Sequence, residues 1–390
     1  MIPYGRHHID EADIEAVAQV LRGSALTQGS TVDAFEHAIA QYVGATYAVA
    51  VSSGTAALHL AAIAGGIGPG TKLLTTPITF VASANAGLCA GGTVGFVDID
   101  PETVNMSPSA LALALERDAD TRAVIPVHYA GLPCDMEAIA KVCAHRNIII
   151  IEDAAHALGS VYPSGKRVGS CENSLMTVFS FHPVKVIAAG EGGMITTNDY
   201  SVYRRLLRLR SHGITKLDDP FVLKSQALSG DISNPWYYEM QELGFHFRIT
   251  DIQCALGLSQ FAKLEKFVSR REQLARHYDN AFASFHNCRP AQQVPANSSG
   301  RHLYVLKIDL EKVGMSRAHL MLKLRELGVG SQVHYIPVPA QPFYRSLGFS
   351  PNDYPNALEF YEHCLSVPIY YSLTDEQQNQ VIAAFRSIVG

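Results

Sequence analysis

The chain carries little charge for its length. Asp, Glu, Lys and Arg make up 17% of 390 residues, the formal net charge is −5, and no five like charges stand in a row. That leaves no electrostatic footprint for nucleic acid or an anionic membrane. No apolar stretch reaches the ~18 residues a membrane-spanning helix needs, and the start Met1-Ile2-Pro3-Tyr4-Gly5-Arg6 lacks the cationic segment and apolar core of a secretion signal. The expectation is a cytoplasmic protein whose partners are small molecules. The seven cysteines are odd in number, scattered and without a C-x-x-C pair, so neither a metal site nor a disulfide framework is expected. A dinucleotide fingerprint is missing too: Gly65-Gly66-Ile67-Gly68-Pro69-Gly70 lacks the G-x-G-x-x-G spacing and follows a helical stretch, which weighs against a nicotinamide dehydrogenase. There is no internal repeat.

What is present is a core-forming composition, 47% hydrophobic, on a chain longer than one core usually organises. Two domains are expected, 1–250 and 251–390. Helices are predicted at 10–21 and 30–42. Strand-like runs follow at 47–51, 72–75, 93–97, 123–127 and 148–151, separated by helical stretches, with two more at 176–180 and 193–197. That alternation predicts an α/β fold around a mostly parallel sheet covered on both faces. A polar stretch at 215–235 reads as a long surface loop, and one long helix is predicted over 250–282. The second domain then alternates strands at 303–308 and 330–335 with helices at 317–327, 356–364 and after Thr374, where Gln377 completes a capping box.

Three segments could carry chemistry. Ala50-Val51-Ser52-Ser53-Gly54-Thr55 ends an apolar strand in a small-residue turn that opens a helix. This is either an ordinary strand-to-helix turn or an anion site built from free N–H groups. In Ile149-Ile150-Ile151-Glu152-Asp153-Ala154-Ala155-His156 a buried strand delivers Asp153 and His156 to its carboxyl end, where ligand crevices of open α/β sheets lie. Asp153 reads as a helix cap, or as the carboxylate that keeps a pyridine nitrogen protonated. In Phe179-Ser180-Phe181-His182-Pro183-Val184-Lys185, followed by Gly190-Glu191-Gly192-Gly193, a lysine sits between two strands among apolar residues. Desolvation there lowers a lysine's pKa and frees its amine for attack on a carbonyl.

Taken in this order, these segments resemble the DegT/DnrJ/EryC1/StrS family of sugar aminotransferases over essentially the whole chain, with further matching stretches at Thr76-Pro77-Ile78-Thr79-Phe80 and Val333-His334-Tyr335-Ile336-Pro337-Val338. The resemblance implies an aspartate-aminotransferase-like α/β fold and pyridoxal 5'-phosphate as cofactor. By position, Lys185 would carry the cofactor covalently and shuttle the proton. Gly54, Thr55 and Ser180 would hold its phosphate, Phe80 would stack on its ring, Asp153 would meet the ring nitrogen, and His156 would lie near the ring hydroxyl. Tyr4, Leu26, Thr27, His334 and Tyr335 would contact the sugar nucleotide. The subgroup it most resembles, from pseudaminic acid synthesis, implies amination of the 4-keto group of a UDP-linked 4-keto-6-deoxy N-acetylhexosamine, with L-glutamate as donor, in a homodimer whose site lies at the subunit interface. Amination at C3, a dTDP-linked sugar and a non-catalytic ligand-binding relative are the alternatives. Sugar dehydratases of the family carry histidine in place of the lysine, and Lys185 speaks against that reading. Four departures stand out: Val186, the Ala188-Ala189 pair, Pro339, and His246 in Gly244-Phe245-His246-Phe247-Arg248, where similar enzymes place an Asn that reaches the partner's cofactor phosphate. His246 is expected to take over that contact.

Overall fold

A computed structural model describes residues 1–216 and 219–389. Positions 217 and 218 of the predicted surface loop, and position 390 of the predicted second domain, lie outside the described residues.

Seven strands form the central sheet: β1 (Tyr47–Val51), β2 (Lys72–Thr75), β3 (Thr93–Phe96), β4 (Thr121–Ile125), β5 (Ile149–Asp153), β6 (Met176–Ser180) and β7 (Gly193–Thr197), in the order β1-β7-β6-β5-β4-β2-β3. Only β7 runs against its neighbours, pairing antiparallel with β1 and β6; the other pairs are parallel. Side chains alternate between faces along a strand, and each face here has its own core. Ala48, Ala50, Leu74, Val124 and Ile150 belong to one, while Val49, Val51, Leu73, Ala123, Ile125 and Ile151 belong to the other. Strands buried on both sides need unbroken apolar runs, which is why Ile149-Ile150-Ile151 sits in β5.

Helix α1 (Glu11–Arg22) lies on the helix Asp251–Phe261, where Ser259 donates to Asp13 at 2.7 Å, and the first core is closed by α2 (Ser30–Val43) and by that same helix, through Val32, Phe35, Ile39 and Cys254. The second is closed by α3 (Gly54–Ala64), α4 (Val81–Cys89) and the helix Tyr200–Arg210. A third core lies around the antiparallel sheet of Cys288–Pro290, Tyr304–Ile308 and Cys364–Val367 and the helices Leu264–Phe282, Arg317–Glu326 and Asp375–Val389. Ile2 is buried in it, its N–H donating to the Gly328 carbonyl at 2.7 Å and its carbonyl accepting from Gly330 at 2.8 Å. This threading carries the first residues of the chain to the segment around His334.

The structure differs from the sequence expectations in three places. The helix predicted over 250–282 is two helices, because Thr250 caps the first with a capping box to Gln253 and the chain turns at Ala262 and Lys263. The strand predicted at 330–335 is reduced to one bridge, Gln332 with Ser366. The predicted loop at 215–235 includes a short helix, Lys224–Ala227, and the strand pair Leu228–Ser229 and Ile232–Ser233. All seven cysteines are free, and among the described residues no helix is long and apolar enough to cross a membrane.

Candidate active site

The carboxyl ends of β1, β5 and β6 lie on one edge of the sheet, and the turns that leave them form the site. Where β1 passes into α3, Ser53 caps the helix by accepting the Ala56 N–H at 3.1 Å, while the N–H groups of the helix's first turn remain without helical partners. Gly54 is required by packing: a Cβ there would stand 2.8 Å from Ser180 Cβ and 3.1 Å from Ser180 Oγ. Gly193 is held as tightly, since its Cβ would come 2.4 Å from the Ser53 carbonyl oxygen. The start of α3 and the end of β6 therefore close into a small polar cradle beside Ser180, with Thr55 exposed at its rim.

Asp153 is the last residue of β5 and is buried. One carboxylate oxygen accepts Ser83 Oγ at 2.6 Å, and the other accepts the Ala155 N–H at 3.1 Å. Ser83, on α4, is in turn held by Thr79 at 2.7 Å. The neighbouring Glu152 points to the opposite face, as strand alternation requires, and takes no part in the pocket. It accepts from Ser174 at 2.5 Å, Thr177 at 2.9 Å and Tyr162, and pairs with His128 Nε2 at 2.8 Å.

Lys185 follows β6 in a turn in which its N–H donates to the His182 carbonyl at 2.8 Å. Burial lowers its pKa to about 8, against a smaller upward pull from the nearby Asp153. The departures around it are buried: Val186 and Ala189 are part of the first core and Ala188 is 3% exposed. Apolar packing thus holds the chain on the carboxyl side of Lys185.

Facing Lys185 is an aromatic and imidazole wall. His156 Nδ1 accepts the Ala130 N–H at 3.3 Å, and its Nε2 meets Tyr335 Oη at 3.0 Å. Burial, and then Lys185 and His334, hold the His156 pKa well below its usual range. Burial and Lys185 lower His334 to about 4, and its Nδ1 bonds Ser366 Oγ at 2.8 Å. Burial, Asp153 and Tyr4 push Tyr335 up. Tyr4 reaches His334 with ring centroids 5.5 Å apart. Phe80 is 58% exposed, with its centroid 6.4 Å from that of Tyr335, so an aromatic face is open at the pocket.

The structure thus brings Gly54, Thr55 and Ser180 together at the cradle, and Lys185, Asp153, His156, Phe80, Tyr335, His334 and Tyr4 at the pocket. Leu26 and Thr27 are not joined to them by any hydrogen bond among the described residues. Both are exposed, and Thr27 bridges to Thr250. His246 is exposed on a short ladder with Ser211, its ring 5.3 Å from His212, one residue before Phe247, whose carbonyl accepts the Ser52 N–H at 2.9 Å. Ser83 and His302 were not singled out from the sequence. Neither lies in a segment with its own motif, and only the folded chain shows that one holds Asp153 and the other packs on His156.

Comparison with known proteins follows the same lines. Residues 7–386 match the model of the DegT/DnrJ/EryC1/StrS aminotransferase family. The spore coat polysaccharide biosynthesis protein SpsC of Bacillus subtilis is 38% identical, covering 100% of this chain and 97% of its own. The UDP-4-amino-4,6-dideoxy-N-acetyl-beta-L-altrosamine transaminase of Campylobacter jejuni is 36% identical over 96% of this chain and 93% of its own. Among solved structures, a candidate sugar aminotransferase, Spr1654 from Streptococcus pneumoniae in its PLP form, superposes with a TM-score of 0.87 at 30% identity, over 100% of this chain and 98% of that one.

Proposed function

The chain belongs to the DegT/DnrJ/EryC1/StrS aminotransferase family and is a pyridoxal-phosphate-dependent sugar aminotransferase, and from this premise we propose that it moves an amino group from L-glutamate to the 4-keto group of a UDP-linked 4-keto-6-deoxy N-acetylhexosamine. The observation that carries the reading is the meeting of Lys185 and Asp153 at the ends of adjacent strands, beside a cradle that only glycine at position 54 can form. The Campylobacter relative supports the choice of sugar by its name.

The residues present fit the cofactor. The first turn of α3 with Ser180 suits a phosphate, which helix N-termini attract. Asp153, fixed by Ser83 and the Ala155 N–H, suits a protonated ring nitrogen, and the open face of Phe80 suits ring stacking. When bound, pyridoxal phosphate supplies a carbonyl that captures the amine and a ring that accepts the electron pair freed at the substrate carbon. Lys185 holds it there. With a pKa near 8, its amine is neutral often enough at physiological pH to attack a carbonyl and to take and return a proton. His156 is kept neutral by burial and by the charge on Lys185. Tyr4 and His334 form the side of the pocket where the sugar would lie, with Tyr335, bonded to His156 and packed on His334, between that side and the cofactor; the exposed Leu26 and Thr27 would also contact the sugar nucleotide.

A second copy of the chain completes this reading. Ile232, Trp236, Met240 and Leu243 are exposed, an apolar set that a homodimer would cover. His246, beside them in sequence, then donates to the phosphate held by the partner. The predicted setting is the cytoplasm.

The test is product analysis with L-glutamate and a panel of UDP- and dTDP-linked 3-keto and 4-keto sugars. A 4-amino UDP sugar is the expected product. Turnover confined to dTDP-linked or 3-keto substrates would overturn the substrate assignment while leaving the aminotransferase in place.

A further inference from the structure

His302 stands behind the wall of the Lys185 pocket. It is 4% exposed, its ring centroid is 4.5 Å from that of His156, and its Nδ1 has no hydrogen-bond partner among the described residues. A buried unpaired nitrogen is destabilising, so packing alone would favour phenylalanine at this position. The chain nevertheless fixes the ring with care. Arg301, just before it, is in the left-handed region at φ +49°. The Arg301 N–H donates to Ser299 Oγ at 3.0 Å and its Nε to Glu272 at 2.8 Å. Buried Arg271 donates to the carbonyls of Arg301 and His302, both at 3.2 Å. Opposite, Ala130 is also left-handed at φ +56°. Its N–H is aimed at His156 Nδ1, and its carbonyl accepts the Leu303 N–H at 3.4 Å. Backbone strain of this kind persists where the surroundings over-determine it, and it gathers at functional sites.

Proton bookkeeping shows what the arrangement accomplishes. An Nδ1 that accepts a backbone N–H carries no proton, so neutral His156 keeps its single proton on Nε2 and donates it to Tyr335 Oη at 3.0 Å. The O–H of Tyr335 is then left to donate, and no other partner of Tyr335 Oη is found among the described residues. The titratable groups facing His156 and Tyr335 are Lys185, His334, Asp153, Tyr4 and Tyr129, with Arg271 behind His302.

We propose that His302 is a positioning residue of the transamination: its ring wedges His156 against Tyr335 and so turns the Tyr335 O–H into the Lys185 pocket, toward the ring oxygen of the cofactor. The inference rests on Lys185 as the residue that bears the cofactor.

Two readouts test it. The pH midpoint of the bound cofactor's visible absorbance is measured in holoenzyme carrying Tyr335→Phe, His302→Ala or His302→Phe, and the ring nitrogens of His156 are assigned by 15N NMR in the cofactor-free protein. Wild-type His156 is expected to be a single Nε2–H tautomer from about pH 6 to about pH 8. Tyr335→Phe should move the absorbance midpoint by about one unit. His302→Ala should move it at least half as far in the same direction, mix the His156 tautomers, and lower kcat roughly tenfold at unchanged KM. His302→Phe should restore all three within about twofold and raise Tm, since it removes the unpaired nitrogen. The inference is overturned if His302→Ala keeps the wild-type midpoint and tautomer. It is equally overturned if wild-type His156 carries its proton on Nδ1, a result that needs no variant to fold. Failure of the Lys185 reading looks different: the absorbance band would persist in Lys185→Ala, while the tautomer result would stand on its own.

Discussion

Two adjacent carboxylates on β5 have opposite fates. Glu152 faces the first core, where Ser174, Thr177, Tyr162 and His128 all bond it, and these partners, set against the cost of burial, keep its pKa below the usual range. Asp153 faces the pocket with two donors, Ser83 and the Ala155 N–H, and with Lys185 close by. A carboxylate whose lone pairs are all taken by the protein is part of the fold. One that is oriented but incompletely used is available to a ligand. The same strand thus provides stability on one face and chemistry on the other.

The sharpest way to break this comparison begins with the pocket. Lys185→Ala should lower the transamination rate by ~10,000-fold or more while leaving the fold intact, checked by single-turnover kinetics and circular dichroism. Asp153→Asn should cost kcat ~100-fold or more but less than about 1 kcal/mol of stability. Glu152→Gln should do the reverse: about 3 kcal/mol lost in denaturant unfolding with kcat within about threefold once folded. Because the folded pKa of Glu152 is depressed, its contribution is present above the unfolded carboxyl pKa and lost as pH falls through the folded value. Glu152→Gln should therefore flatten the acid limb of the stability profile, and a profile unchanged from wild type would show that Glu152 is not the buried charge described. Ser83→Ala should lower kcat about fivefold; if it matches Ala substitutions elsewhere on α4, Asp153 needs no such support. The smallest effect is expected at His246. His246→Asn should weaken cofactor affinity about threefold in a direct binding measurement, and an affinity unchanged from wild type would show that His246 does not reach the phosphate.

Much of this was legible in the chain itself, for physical reasons. Strands buried on both faces must be apolar throughout, so β1, β2 and β5 announce themselves. Ligands bind where such strands end, which marked Asp153 and the loop of Lys185. Ser83 was hidden because it meets Asp153 across 70 residues of sequence, and nothing local distinguishes it from other small residues of α4. His302 was hidden because its value lies in a ring contact and in the strained Arg301 that aims it. The break after Phe261 was missed because Lys263 continues the helical composition, and only its contacts with Asp10 and Asp13 at 2.8 and 2.7 Å show the chain turning there. The segment around His334 read as a strand because its apolar alternation is real, yet its partner Ser366 offers a single bridge.

The central claim is that Lys185 bears the cofactor through an amine whose pKa is about 8. Its most direct test is borohydride reduction of the holoenzyme followed by peptide mapping, with the rate of cofactor capture by the cofactor-free protein followed against pH. A single pyridoxyl label on Lys185 and a capture rate rising with a midpoint near 8 are predicted. A label on another lysine, no label, or a midpoint near the ~10.4 of an unperturbed lysine would contradict the account.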